Sequence, residues 1–190
     1  MDPEKATRAE LMGLMAGAFS CLEEVDLRMA DGFKVRCDVL AIPMDAEFAR
    51  CRIAFECKRP DQNWHYALWS SVLKQAADNV AAEIVDARLP EGGRVTAAFV
   101  FPAPFMVPKG VVQPTNALVR PGFEDAIAGM FHLASRFRVG RAANDPYGRG
   151  DGFKMNMGPN PVWSTRTGFT RDGRNLLLEG RPVGSRNVRY

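Results

Sequence analysis

Histidine is almost missing from this chain. His65 and His132 are the only two in 190 residues, and neither has a ligand-like partner nearby in sequence. A histidine-built metal centre therefore has no basis here, and a local polar contact is the better reading of His65. Cysteine is scarce too. Cys21, Cys37, Cys51 and Cys57 show no C-x-x-C or Cys/His ligand spacing, so they read as reduced, buried thiols rather than a zinc site or disulfide framework. No apolar run reaches membrane-spanning length. The opening "MDPEKATRAELMG" is charged where a secretory segment would be apolar, and the expected location is cytoplasmic. The chain also lacks a Gly-rich phosphate loop, an internal repeat and any low-complexity tract.

Apolar material is plentiful. A 46% hydrophobic fraction with 12 Phe and 3 Trp can build the core of one domain with an appendage. The net charge of +3 hides an asymmetry. Residues 131–190 hold 11 Lys/Arg against 4 Asp/Glu, whereas the first 130 hold 14 against 18. Ten of the eleven cations in the basic part are arginine, the side chain suited to bidentate phosphate contacts. A solvated basic tail is the plain reading; a polyanionic partner is the sharper one.

Periodicity organises the rest. "PEKATRAELMGLMAGAFSCLEE" has Leu11, Leu14, Met15, Ala18 and Cys21 or Leu22 at helical spacing, with Pro3 near the start. In "VDLRMADGFKVRCDVLAI" apolar and charged residues alternate around a "DG" turn, which predicts a hairpin. "PMDAEFAR" then leads to a third strand, "CRIAFECK". A long helix is expected from Trp64 to Arg88, and the apolar "RVTAAFVFP" reads as a strand covered on both faces. A Pro-rich loop and a helix over 122–138 follow. The remainder is expected to be β-rich, with strands near "GFKMNM", "VWSTRTGF" and "NLLLEG" and little helix. These elements predict a three-layer α/β/α fold with a mixed central sheet and core order α-β-β-β-α-β. The core would span 1–140, with 141–190 as an Arg-rich hairpin or arm.

Three charges sit in apolar strands, where an unpaired charge is costly. Asp38 interrupts the second strand; Glu56 and Lys58 interrupt the third. Pairing the two as a hairpin, Ile42 with Arg52, sets Leu40 opposite Ala54, Asp38 opposite Glu56 and Arg36 opposite Lys58. Val35, Cys37, Val39 and Ala41 then face one way, and Asp38, Leu40 and Ile42 the other. Cys37 falls opposite Cys57, away from Asp38. Adjacent carboxylates repel unless a proton or cation lies between them. Mg²⁺ or Mn²⁺ suits two carboxylates plus phosphate oxygens. Lys58 beside it would orient or deprotonate water, or stabilise charge developing on phosphorus. The plain alternative is an ion pair of Lys58 with Glu56 or Asp38 at a strand end.

Asp38, then "Glu56-Cys57-Lys58" on the next strand, then a helix carrying Gln75 in "KQAADN", resembles the PD-(D/E)xK nuclease superfamily over roughly Ala9 to Pro102. The glutamine is similar to that of the RecB-like and λ-exonuclease-like branches, and the core order also suits junction resolvases. The resemblance implies Asp38 and Glu56 as metal ligands, the Cys57 carbonyl as an additional one, and Lys58 as the catalytic lysine. Gln75 would position water, lysine or phosphate. A helix-one glutamate joins the metal in some branches; Glu10 is the candidate here and Glu24 the second. Cys37 replaces the proline before Asp38, and Asn79 replaces the aromatic that can close the glutamine motif. The cysteine positions do not fit the superfamily's iron–sulfur cluster.

The resulting expectation is a divalent-metal-dependent DNA nuclease, with a homodimer allowed. The candidates for backbone phosphate contact are Arg36, Arg59, Lys74, Arg136, Arg138, Arg141, Arg149 and Arg166. Trp64, Tyr66 and Trp69 are spaced for core packing rather than base stacking. Two alternatives belong to other classes. One is a catalytically silent nucleic-acid-binding or assembly subunit with the same fold; the other is an interaction protein whose basic tail docks an acidic partner.

Overall fold

The structure, a computed structural model, describes residues 3–59, 66–103, 123–144, 152–158 and 160–180. Helix α1 (Pro3–Met15) leads into β1 (Phe19–Arg28) and β2 (Lys34–Pro43). After a short 3-10 turn (Ala46–Phe48) come β3 (Ile53–Cys57), α2 (Tyr66–Ala81), β4 (Glu83–Ile84) and β5 (Ala97–Phe101). The chain continues through α3 (Phe123–Ser135), β6 (Val139–Asn144), β7 (Phe153–Met157), β8 (Asn160–Ser164), β9 (Gly168–Phe169) and α4 (Arg171–Glu179). The Pro-rich segment from residue 104 onward, Trp64, His65, Arg149 and the Tyr66 side chain lie outside the described residues.

The nine strands among the described residues form one mixed sheet in the order β4-β1-β2-β3-β5-β6-β7-β8-β9. The β1-β2-β3 meander is antiparallel, β3-β5-β6 are parallel, and β6 to β9 are antiparallel again. Helices α2 and α3 serve as the crossovers that parallel neighbours require. The sheet curls. Phe19 of β1 and Trp163 of β8 stand far apart in strand order, yet their rings meet edge-on at 5.0 Å.

Two apolar clusters fill the two sides. The first holds Leu11 and Met15 of α1, Val39, Ala41, Phe55, Phe99, Phe153, Trp163 and Leu176. The second holds Cys37, Leu40, Ala54, Val100 and Val139 against Trp69, Val72 and Ala76 of α2 and Phe131 of α3. The β2–β3 register agrees with the expected one at Leu40–Ala54, flanked by Val39–Phe55 and Ala41–Ile53, while the expected pairs Ile42–Arg52, Asp38–Glu56 and Arg36–Lys58 are not part of the ladder.

Four expectations need correcting. The first helix stops at Met15: Gly17 takes a left-handed φ of 85°, and residues 19–28 pair with β2, so strand pairing overrides the helical period. Helix α2 likewise ends at Ala81, because Leu27 and Arg28 of β1 recruit Ile84 and Glu83 as a strand. "NLLLEG" is helical. Thr170 caps α4 by accepting a 3.0 Å bond from the Gly173 N–H, and Gly180 closes it at φ 64°. Finally, the segment expected as a separate arm continues the sheet through β6–β9, and its Phe153, Met155, Trp163 and Leu176 belong to the first cluster.

The face pattern of β2 also differs. Val35 and Cys37 join Leu40 and Ile42 in the second cluster, while Val39 and Ala41 join the first. Alternation therefore breaks at Asp38. Directly across, the β1–β2 ladder skips Glu24, whose φ is +51°, a left-handed conformation unusual for a side-chain-bearing residue. Cys37 and Cys57 consequently sit in different clusters instead of facing each other.

Candidate active site

The β1 bend is fixed from the sheet edge. Arg88 donates from one Nη to the carbonyls of Glu23 (3.0 Å) and Glu24 (3.2 Å) and to Asp86 (2.7 Å). The other Asp86 interactions are with the Asp26 and Arg88 N–H groups and Arg88 Nε. These donors hold the Asp86 carboxyl well below the usual range. On its inner side, the bend faces β2 at Asp38.

Asp38 is where the β2–β3 ladder ends. Past Val39–Phe55, the Asp38 Oδ2 accepts a 2.7 Å bond from the Cys57 N–H. A side chain thus replaces a backbone acceptor, and the carboxylate is drawn over the end of β3. There Glu56, with a side chain only 6% exposed, projects toward α2. Its Oε1 accepts a 2.6 Å bond from Asn79 Nδ2, and its Oε2 lies 3.8 Å from Lys58 Nζ. Lys58 itself is anchored through its N–H to the Phe101 carbonyl at 2.8 Å.

Arg8 of α1 completes the group. Its side chain is 10% exposed and lies 3.2 Å from Glu24, 3.6 Å from Glu23 and 4.0 Å from Asp38 Oδ1. Burial pushes the Glu56 carboxyl up to about 7, reinforced by the charge of Asp38; Asn79 and Lys58 oppose the rise. The Asp38 carboxyl is raised as well, chiefly by burial, against the Cys57 N–H, Lys58 and Arg8. Two acids in one partly buried site each hold a proton more tightly than they would in water.

Asp38, Glu56 and Lys58 are therefore brought together. Cys57 contributes its N–H, while its thiol is buried in the first cluster and pushed far above its usual range. Gln75 is exposed on α2, and the side chain from that helix which meets the acids is Asn79, one turn later. Glu10 instead accepts from Asn144 of β6 at 3.3 Å. The α1 acid whose charge reaches both Asp38 and Glu56 is Glu4. Glu24 is linked to Asp38 through Arg8.

Sequence reasoning missed Arg8 and treated Asn79 only as a departure from a motif. The i, i+4 spacing of Gln75 and Asn79 on one helix face was the available signal for the second. Arg8 had no comparable signal, because its partners gather only once the β1 bend forms.

As for a metal, Asp38 Oδ1 and Glu56 Oε2 are the carboxylate oxygens with only the longer ion-pair contacts. Hard carboxylate oxygens are the donor type that suits Mg²⁺ or Mn²⁺. Among the described residues, no group of three or more His, Cys, Asp or Glu is arranged as a metal cage.

The expected phosphate-contacting residues are dispersed. Arg36 pairs with Asp26 and Glu24, and Lys74 with Asp78. Arg138 donates to the Gly180 carbonyl at 3.1 Å, and Arg141 lies over the Phe131 ring. Arg59, Arg136 and Arg166 are exposed. No helix among the described residues is long and apolar enough to cross a membrane. Compared with known proteins, the chain matches no family model, no curated protein and no solved structure.

Proposed function

We propose that the chain is a divalent-metal-dependent phosphodiesterase acting on DNA, built on a three-layer α/β/α core of PD-(D/E)xK type. The observation that carries this reading is the meeting of Asp38, Glu56 and Lys58 at the end of β3. The antiparallel β1-β2-β3 meander followed by α2 and the parallel β5 supports it as well.

In this reading the Asp38 and Glu56 carboxylates would hold Mg²⁺ or Mn²⁺. The bound ion would supply Lewis-acid polarisation of a phosphoryl oxygen and a more acidic water. Lys58, kept next to Glu56 by its backbone bond to Phe101, stabilises charge on the phosphorane oxygens and orients the attacking water. Asn79 fixes the Glu56 rotamer by taking its Oε1, so that Oε2 is presented. Arg8 balances part of the negative charge of Glu23, Glu24 and Asp38.

The test is incubation of the chain with labelled linear, branched and single-stranded DNA plus Mg²⁺ or Mn²⁺. Cleavage should appear with metal and vanish in Asp38→Asn and Lys58→Ala. Cleavage that survives both substitutions rules out this site. A second reading, a catalytically silent DNA-binding or assembly subunit, is favoured by the exposed Gln75 and by the absence of a third metal-ligating side chain among the described residues. It predicts DNA retention with no metal-stimulated cleavage.

A further inference from the structure

One row of Cα partners crosses four neighbouring strands: Glu56 on β3, Val100 on β5, Arg141 on β6 and Asn156 on β7. All four share a face. Glu56 is bonded from α2, Val100 packs in the second cluster, and the Arg141 guanidinium lies 5.8 Å from the Phe131 ring centroid in that same cluster. Asn156 sits between Met155 and Met157, both buried in the first cluster, so strand alternation turns it toward Arg141. At a strand spacing of about 4.8 Å, Arg141 is roughly 10 Å along the row from Glu56.

Arg141, like Arg138, makes no ion pair among the described residues. Arg8, Arg36, Arg52, Arg88, Arg94 and Arg174 each pair with a carboxylate. Arg141 is half-buried and has none among the described residues, and desolvation lowers its pKa. A guanidinium removed from water without a counter-charge is costly unless an anion completes it. Beside it, Asn156 Oδ1 is buried without a partner. The β7–β8 register shifts between Met155 and Asn156, a bulge of the kind that re-aims a side chain.

We propose that Arg141 and Asn156 form an anion subsite that holds a backbone phosphate next to the one cleaved at Asp38 and Glu56. This rests on the phosphodiesterase reading and extends it to a second phosphate contact. Val100, between Glu56 and Arg141, is fully buried in the second cluster, so the nucleic-acid strand would pass beyond the ends of β3, β5 and β6 rather than over the sheet face. Arg141 supplies two parallel N–H donors to the phosphate oxygens. The Asn156 carboxamide turns its amino group to the same anion.

The experiment is fluorescence anisotropy of the full chain with labelled single-stranded and duplex DNA in EDTA, at several salt concentrations. Arg141→Gln should weaken binding about tenfold and make the salt slope shallower by about one. Arg94→Gln, an exposed charge on another edge, should stay within about twofold. Binding by Arg141→Gln as tight as by Arg94→Gln overturns the subsite and leaves the phosphodiesterase reading standing. If Arg141→Gln does not fold, Arg141→Lys decides, because it keeps the charge and loses the fork. A threefold or greater loss then supports the subsite, and unchanged affinity overturns it. A wild-type chain that binds neither DNA form sinks both proposals together.

Discussion

The carboxylate of Asp38 accepts the backbone N–H of Cys57 at 2.7 Å, so one side chain both ends a β-ladder and crowds Glu56. The two duties separate by substitution. Asp38→Asn keeps an acceptor for the buried N–H, whereas Asp38→Ala strands it at a cost of about 1–3 kcal/mol. Urea unfolding at pH 7.5 should find Asp38→Ala less stable than Asp38→Asn by that margin. Both variants should lose Mn²⁺ binding in calorimetry. Equal stability of the two would mean that the bond to Cys57 contributes nothing.

Glu56 makes stability depend on pH with a definite sign. Its folded-state carboxyl titrates near 7, against an ordinary value of 4.5. The folded chain therefore holds the proton more tightly than the unfolded chain. Stability is greatest below about 4.5 and is lost as pH rises through about 7. Glu56→Gln removes this dependence. It should be more stable than wild type at pH 8.5 by something on the order of 2–3 kcal/mol, with the gap closing at pH 4.5. The same gap at both pH values would contradict the assignment.

Metal binding should be coupled to that proton. A divalent ion that binds ionised Glu56 must release the proton held near pH 6. Calorimetry at pH 6 in two buffers of different ionisation enthalpy should register up to about one proton released per Mn²⁺. At pH 8.5 the release should disappear. Release that is independent of pH would place the metal elsewhere.

Arg8 is the buried counter-charge for three acids. Arg8→Gln removes one of their counter-charges, leaving Arg36 beside Glu24 and Lys58 near Asp38. The loss costs about 1–2 kcal/mol and lowers the melting temperature by roughly 2–8 °C for a chain of this size. The deficit should shrink with millimolar Mn²⁺, because a bound cation restores the missing charge. Thermal melts with and without metal test this; a deficit that Mn²⁺ does not reduce argues that Arg8 acts only through packing.

Described residues beyond β6 belong to the first cluster. Cutting the chain after Asn144 removes Phe153, Met155, Trp163, Leu176 and Leu177, all buried against α1 and β1–β3. The shortened chain should lose its cooperative thermal transition and bind an apolar dye. A sharp transition retained after the cut would restore the arm-and-core description.

The β2–β3 register was legible because period-two patterning on two apolar strands leaves few pairings that bury both. It set Asp38 beside Glu56, although the ladder itself stops one pair short, at Val39–Phe55. The bend at Glu24 was not legible, since its left-handed φ is imposed from outside by Arg88 and Asp86, which lie more than sixty positions away. Arg8 was invisible for the same reason. Helix α4 did carry local signals, Thr170 at its start and Gly180 at its end, but its leucines resembled a short strand. Gln75 and Glu10 were named by resemblance, and the geometry turns attention to Asn79 and Glu4.

Glu24 shows two demands pulling against each other. A left-handed backbone costs an ordinary residue about 1–2 kcal/mol, and glycine at position 24 would relieve it. Glycine would also remove the carboxylate that lies 3.2 Å from the Arg8 guanidinium. Glu24→Gly would therefore relax the main chain while loosening the cation beside Asp38. A screen for heat resistance alone would favour that exchange, and one for the chemistry of the site would reject it.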